Sequence, residues 1–349
     1  MPEAAQSKNK NIVICCDGTG NEYGRNNTNV VKTFEALTKD QGQVVFYDPG
    51  VGTFSEKAFI FAPLRKLGRL LGGALGIGLQ KNVEDAYSYL MDVYEDGDKV
   101  FLFGFSRGAH TVRRLASMLD KCGLLQRGSG NMIPYTSRMY LNKKVGTMYL
   151  SDTRSKTVIQ GFKETYCRPC PVHFLGVWDT VSALSKLRPR PMLDGKLNKG
   201  TRYAYHAIAI DERRLKFPPN LWLEENIDRS QQTVEQVWFA GVHSDVGGWY
   251  DDRGLANIAL SWMLKYAKKA DLKIEDGFIE NLKTDRTDKQ HESWSGFWRF
   301  LPYVRRRIPE GAKVHTSVRH RMATGSLPHN EPYKPKMLEQ VKETVEWVD

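Results

Sequence analysis

Runs of apolar, β-branched or aromatic residues alternate along this chain with stretches in which apolar residues recur at helical spacing. Five runs, at 11–16, 43–47, 99–103, 172–178 and 234–240, predict buried strands, each ending in small or polar residues. Helical patterns lie between several of them, at 29–39, 81–94 and 109–119. A further strong helical pattern at 254–269 carries Trp262, Met263 and Leu264, which read as core. Strand–helix alternation of this kind predicts an α/β protein with a mostly parallel central sheet and helices on both faces. Ligands of such sheets bind beyond the carboxyl ends of the strands.

Two insertions interrupt the pattern. The first, 54–79, mixes Lys57, Arg65, Lys66 and Arg69 with Phe59, Ile60, Phe61 and Leu64 before becoming glycine-rich. It reads as a lid, as a membrane-surface amphipath, or as a helix-loop packed on the sheet. The second, 133–166, is polar with Tyr135, Tyr140 and Tyr149, and stands where hydrolases of this topology often place a cap. Residues 271–349 read as a basic aromatic tail with Trp294, Phe297, Trp298 and Phe300 ahead of Arg305, Arg306 and Arg307, and 332–348 as a terminal surface helix. With no repeat and no long linker, the expectation is a single domain over 1–349 with its core at about 11–270.

Composition narrows the class. An apolar share of 41% supports a real core and excludes a disordered chain. A net charge of +11 favours anionic partners, including peripheral contact with an anionic membrane, but no Gly-aromatic signature accompanies it, so nucleic acid is not expected. Residues 1–10 have no apolar core of a signal peptide, and the uncharged stretch 70–80 is too short to span a bilayer. The expected location is cytoplasmic, with signal-independent export left open. The five cysteines do not form a disulfide framework, and Cys167-Arg168-Pro169-Cys170 lacks a second pair or nearby histidines. No metal and no cofactor are expected.

The chemistry centres on Gly104-Phe105-Ser106-Arg107-Gly108, set between a strand and a helix as a nucleophile elbow requires. Ser106 then needs a base and a group to orient that base, in the chain order serine, acid, histidine. Asp179 ends one strand and His243 follows another, so parallel strands bring both to the edge that carries Ser106. His206 is a second candidate base, although its neighbours read as a helix; Asp245 is an alternative acid, close to His243 in the chain, or else a cap or loop partner; a helix after the elbow points His110 away from Ser106, and His173, inside a strand, reads as structural. An oxyanion hole is expected from the backbone N–H of Arg107, joined by Gly18 and Thr19 in the loop 17–21, where Asp17 otherwise serves as a cap. An aspartate-nucleophile phosphatase reading of that loop fails because Cys15 stands where the nucleophile belongs.

The ordered motifs CDGT at 16–19, YDPGVG at 47–52, LFGFSRGA at 102–109, GVWDTV at 176–181, AIAIDE at 207–212 and VHSDVGG at 242–248 together resemble one family. It is the α/β-hydrolase catalytic domain resembling type VI secretion phospholipase effectors, long catalogued as a domain of unknown function. The resemblance runs from about 11 to 269 and implies a serine hydrolase with Ser106, Asp179 and His243 as its triad. Some members cleave phospholipid esters; many have no assigned substrate. The tail carries no long membrane-anchoring module, so a serine esterase or lipase acting on a carboxylic ester is the wider expectation. The competing reading is a catalytically silent hydrolase-fold module that holds an anionic partner.

Overall fold

The computed structural model describes residues 9–18, 21, 23–50, 74–142, 144, 148–150, 156–181, 195–215, 217–300, 302–325, 327 and 332–349. Thr19 and most of the 54–79 segment lie outside these residues. In chain order the strands are β1 (Asn11–Cys16), β2 (Gln43–Asp48), β3 (Lys99–Phe105), β4 (Leu124–Leu125), β5 (Cys167–Arg168), β6 (Val172–Trp178), β7 (Thr201–Ala209), β8 (Thr233–Phe239), β9 (Lys313–His315) and β10 (Glu346–Val348). The α-helices are α1 (Asn29–Ala36), α2 (Ala74–Val93), α3 (Arg107–Cys122), α4 (Ile133–Leu141), α5 (Val158–Tyr166), α6 (His243–Gly247), α7 (Gly254–Lys269), α8 (Thr316–Ala323) and α9 (Lys336–Glu339).

Eight strands form one sheet in the order β10-β9-β8-β7-β6-β3-β1-β2, and every pairing in it is parallel. The predicted α/β class with helices on both faces is therefore observed. The apolar runs are continuous because both faces are covered. Ile12, Ile14, Val100 and Leu102 join a core cluster with Tyr87 and Leu90 of α2 and Val112 and Leu115 of α3. Val13, Cys15, Phe101 and Phe103 alternate into a second cluster with Val30 of α1 and Leu260 and Met263 of α7. Met139 of α4 and Phe162 of α5, from the 133–166 segment, extend the first cluster.

Two readings change. The stretch around His206 is not helical but is strand β7, between β6 and β8. Ala204 through Ala209 are all buried, which removes the period-two signal, and the alanines themselves favour helix in isolation. The C-terminal segment is not a terminal surface helix. Only Lys336–Glu339 is helical within 332–348, and β9 and β10 add two strands to the sheet. Ile308, Val314, Val318 and Leu338 pack there against Ile208, Ile210 and Trp238 in a third cluster.

Register fixes the site. Cys16 is level with Gly104, Phe105 with Trp178, Trp178 with Ala207, and Ala209 with Phe239. The residues that follow these strands, Asp17, Ser106, Asp179, Ile210–Glu212 and Ala240–His243, thus emerge on one rim. Among the described residues no helix is long and apolar enough to cross a membrane.

Candidate active site

Strand β3 turns into α3 within one residue, and Ser106 takes that turn with φ 56° and ψ −114°. Its N–H still bonds Trp178 O at 3.1 Å, so the sheet ladder holds the strained residue in place. The turn closes only because its glycines lack side chains. A Cβ at Gly104 would stand 2.5 Å from Gly108 O, and one at Gly108 would stand 2.0 Å from Cys16 O. Gly108→Ala is expected to push α3 off β1, destabilise the fold by about 1–3 kcal/mol or more and misplace Ser106. Thermal unfolding and activity measured on the same sample check this; a variant with wild-type stability and turnover would contradict it.

Ser106, Asp179 and His243 meet. His243 Nε2 lies 2.8 Å from Ser106 Oγ, and His243 Nδ1 lies 2.5 Å from Asp179 Oδ2. Asp179 follows β6, is fully buried, and has φ 40°. Among the described residues only four non-glycines have positive φ, and two of them are Ser106 and Asp179, so backbone strain concentrates at this site. His243 opens α6 and is in ring contact with Phe105 (centroids 4.6 Å apart, tilted) and Phe217 (5.2 Å, edge-on). Burial lowers its pKa below the ordinary imidazole value, and the Asp179 carboxylate opposes that shift. Burial pushes Asp179 up, yet Arg306 and His243 outweigh it and hold the carboxyl well below the usual carboxylate range.

Other candidates stand elsewhere. Asp245 faces away from the imidazole: its Oδ2 accepts from Val242 N–H (2.9 Å) and its Oδ1 meets His291 Nδ1 (2.7 Å). His206 Nε2 accepts from Thr180 N–H at 3.1 Å, and burial lowers its pKa to about 3, so it is a neutral prop beneath the Asp179 turn. Asp17 organises its loop, accepting from Gly18 N–H (2.6 Å), Asn21 Nδ2 (3.1 Å), Thr28 Oγ1 (2.6 Å) and Tyr47 O–H (3.1 Å). Burial raises its pKa to about 6 against those bonds. Gly18 abuts Ser106, since a Cβ there would lie 3.4 Å from Ser106 Cβ. Its N–H donates to the Asp17 carboxylate in this structure. The first N–H groups of α3, beginning with Arg107, have no partner within the helix. The Arg107 side chain is partly buried, and burial lowers its pKa to about 10.

Two charged residues at this site were not singled out from the sequence. Glu212, after β7, accepts His243 N–H (3.3 Å), Ser293 O–H (2.9 Å) and a two-pronged contact from Arg214 (2.9 and 2.8 Å); Arg214 in turn stacks on Phe217. Arg306 grips Asp179 with Nη1 on Oδ1 (2.5 Å) and Nη2 on Oδ2 (3.0 Å). The one signal for Arg306 is phase: it is buried with Ile308, while Arg305 and Arg307 are exposed. Among the described residues no group of three or more His, Cys, Asp or Glu side chains could hold a metal ion.

Residues 10–266 match the family model described as T6SS, phospholipase effector Tle1-like, catalytic domain. A Saccharomyces cerevisiae protein, uncharacterized, is 31% identical over 225 residues, covering 62% of this chain and 33% of its own length. The crystal structure of an uncharacterized protein from Pseudomonas aeruginosa aligns at TM-score 0.41 and 18% identity over 80% of this chain and 48% of that one. The structure of the Tle1 effector bound to the VgrG spike of the type 6 secretion system aligns at TM-score 0.37 and 18% identity, over 71% and 52%. The chain therefore spans about a third of the curated relative and about half of each solved structure. With the family model covering most of its length, the chain belongs to the Tle1-like phospholipase effector catalytic-domain family.

Proposed function

We propose that this protein is a serine hydrolase that cleaves a carboxylic ester of a phospholipid or similar acyl lipid through an acyl-Ser106 intermediate. The hydrogen-bonded row Ser106–His243–Asp179 carries this reading, and the family description supports the phospholipid class. Ser106 Oγ attacks the ester carbonyl carbon while its proton passes to His243 Nε2. Asp179 holds the other ring nitrogen as the donor and stabilises the imidazolium. The developing oxyanion is met by the Arg107 N–H at the start of α3; a second donor from the 17–21 loop would require the Gly18 N–H to leave Asp17, or Thr19 to supply it. Collapse returns the proton from His243 to the departing alkoxide, and water then repeats the sequence on the acyl-enzyme. The net charge of +11 supports approach to an anionic membrane surface. In this reading the chain works as one domain, since Arg306 of the C-terminal segment touches Asp179.

Fatty-acid release from phospholipid vesicles, with wild type and Ser106→Ala side by side, tests the reading. Release by the wild type alone is expected; equal release by both would end it. The pH dependence has a definite sign. The working base is neutral His243, whose pKa lies below the ordinary value, so kcat/KM rises with pH and levels off by neutrality. Its midpoint is expected below about 6.5. A midpoint above about 7 contradicts this account of the imidazole environment.

A further inference from the structure

We propose that Arg306 is a positioning residue for the triad, a fourth member delivered by a segment beyond the matched family region, which ends at residue 266. The inference rests on the triad reading above and extends it. Arg306 is 5% exposed, and its guanidinium makes four hydrogen bonds: two to Asp179, one to Ala209 O (2.8 Å) and one to Phe217 O (2.7 Å). Its segment is tied down on both sides. Tyr303 bridges Arg214, Val304 N–H bonds Arg213 O at 2.9 Å, and Ile308 is buried in the third core cluster. Ala209 N–H adds a bond to Asp179 Oδ1 at 3.0 Å. The Asp179 carboxylate is thus saturated with donors, and its plane is fixed with Oδ2 against His243.

Two consequences follow from charge. A fully buried carboxylate without a cation takes up a proton, and a protonated Asp179 cannot stabilise an imidazolium. Arg306 keeps it ionised. The same positive charge lowers the proton affinity of the Asp179–His243 pair as a unit, which keeps the base free at mildly acid pH. The other groups facing this pair leave that direction intact. Glu212 bonds the His243 N–H but is itself held by Arg214; Asp245, two residues along α6, is paired with His291; and His206 is held neutral by burial. Among the described residues Arg306 is the permanently charged cation in direct contact with Asp179.

The experiment follows the His243 imidazole titration by NMR and, in parallel, the pH dependence of labelling by a fluorophosphonate. Arg306→Gln is expected to move both midpoints up by about one pH unit or more. Arg306→Lys keeps a charge but loses the fork; its midpoints should stay near wild type while labelling slows about tenfold. Arg307→Gln, one residue away and exposed, should change neither. Labelling of Arg306→Ala should recover on addition of guanidinium at millimolar levels. A purely structural contact predicts less folded protein with unmoved midpoints, and that result in Arg306→Gln overturns the proposal. Should the Gln variant not fold, a full-unit shift in Arg306→Lys overturns it instead. Wild type that never labels sinks the hydrolase reading, while the imidazole titration still decides the role of Arg306.

Discussion

Ser106→Ala is expected to lower turnover by about 10⁴-fold or more while leaving the protein folded. The oxygen removed is the one 2.8 Å from His243 Nε2, and the residue's backbone is held by Trp178 O, so the chemistry is lost without loss of the elbow. Strain offers a second readout. A non-glycine residue at φ 56° and ψ −114° sits outside the comfortable regions, and only glycine takes such geometry freely. Ser106→Gly should therefore be equally inactive yet more stable than Ser106→Ala, by about 1 kcal/mol. Thermal unfolding of the pair measures this. Equal stability would mean that the elbow stores no strain, and substantial residual turnover in either variant would remove Ser106 from the nucleophile's place.

Asp179→Asn should cost activity and stability together. An amide cannot hold the imidazole in its working tautomer, so kcat is expected to fall by about 10⁴. The backbone should tolerate the change, because asparagine accepts the positive φ that Asp179 adopts (40°). Arg306, however, would keep a buried charge without its carboxylate, a loss of about 3–5 kcal/mol at neutral pH. The folded pKa of Asp179 is depressed, so its contribution is fully present above the unfolded carboxylate value and is lost as pH falls through the folded value. The stability gap between wild type and Asp179→Asn is accordingly widest near neutrality and narrows only under strongly acid conditions. Chemical denaturation at several pH values checks the trend. A constant gap would show that the ion pair does not set it.

The meeting of Ser106, His243 and Asp179 could be anticipated from the sequence because each lies at the end of a strand with a strong apolar signature, and parallel strands carry such ends to one rim. Strand β7 could not, since Ala204 to Ala209 are buried on both faces and lose the alternation that marks a half-exposed strand. β9 and β10 have three residues each, too few for any period to register. Arg306 hid in a run of three arginines, two of them exposed, where only its shared phase with Ile308 separates a buried charge from solvated ones. The Gly18 N–H illustrates a different limit. The sequence puts a glycine loop beside Ser106, but only the folded structure reveals that the adjacent Asp17 carboxylate already occupies that donor. Asp245 is the converse case: its nearness to His243 in the chain left its role open between orienting acid and loop partner, and the turn of α6 sends its carboxylate to His291.

The measurement that bears most directly on the central claim is the position of a covalent adduct. The intact protein is treated with a fluorophosphonate, digested and mapped by mass spectrometry. One modified peptide is expected, with the mass increment on Ser106, and no modification in Ser106→Ala. An adduct on another residue, or labelling that persists unchanged in Ser106→Ala, would contradict it.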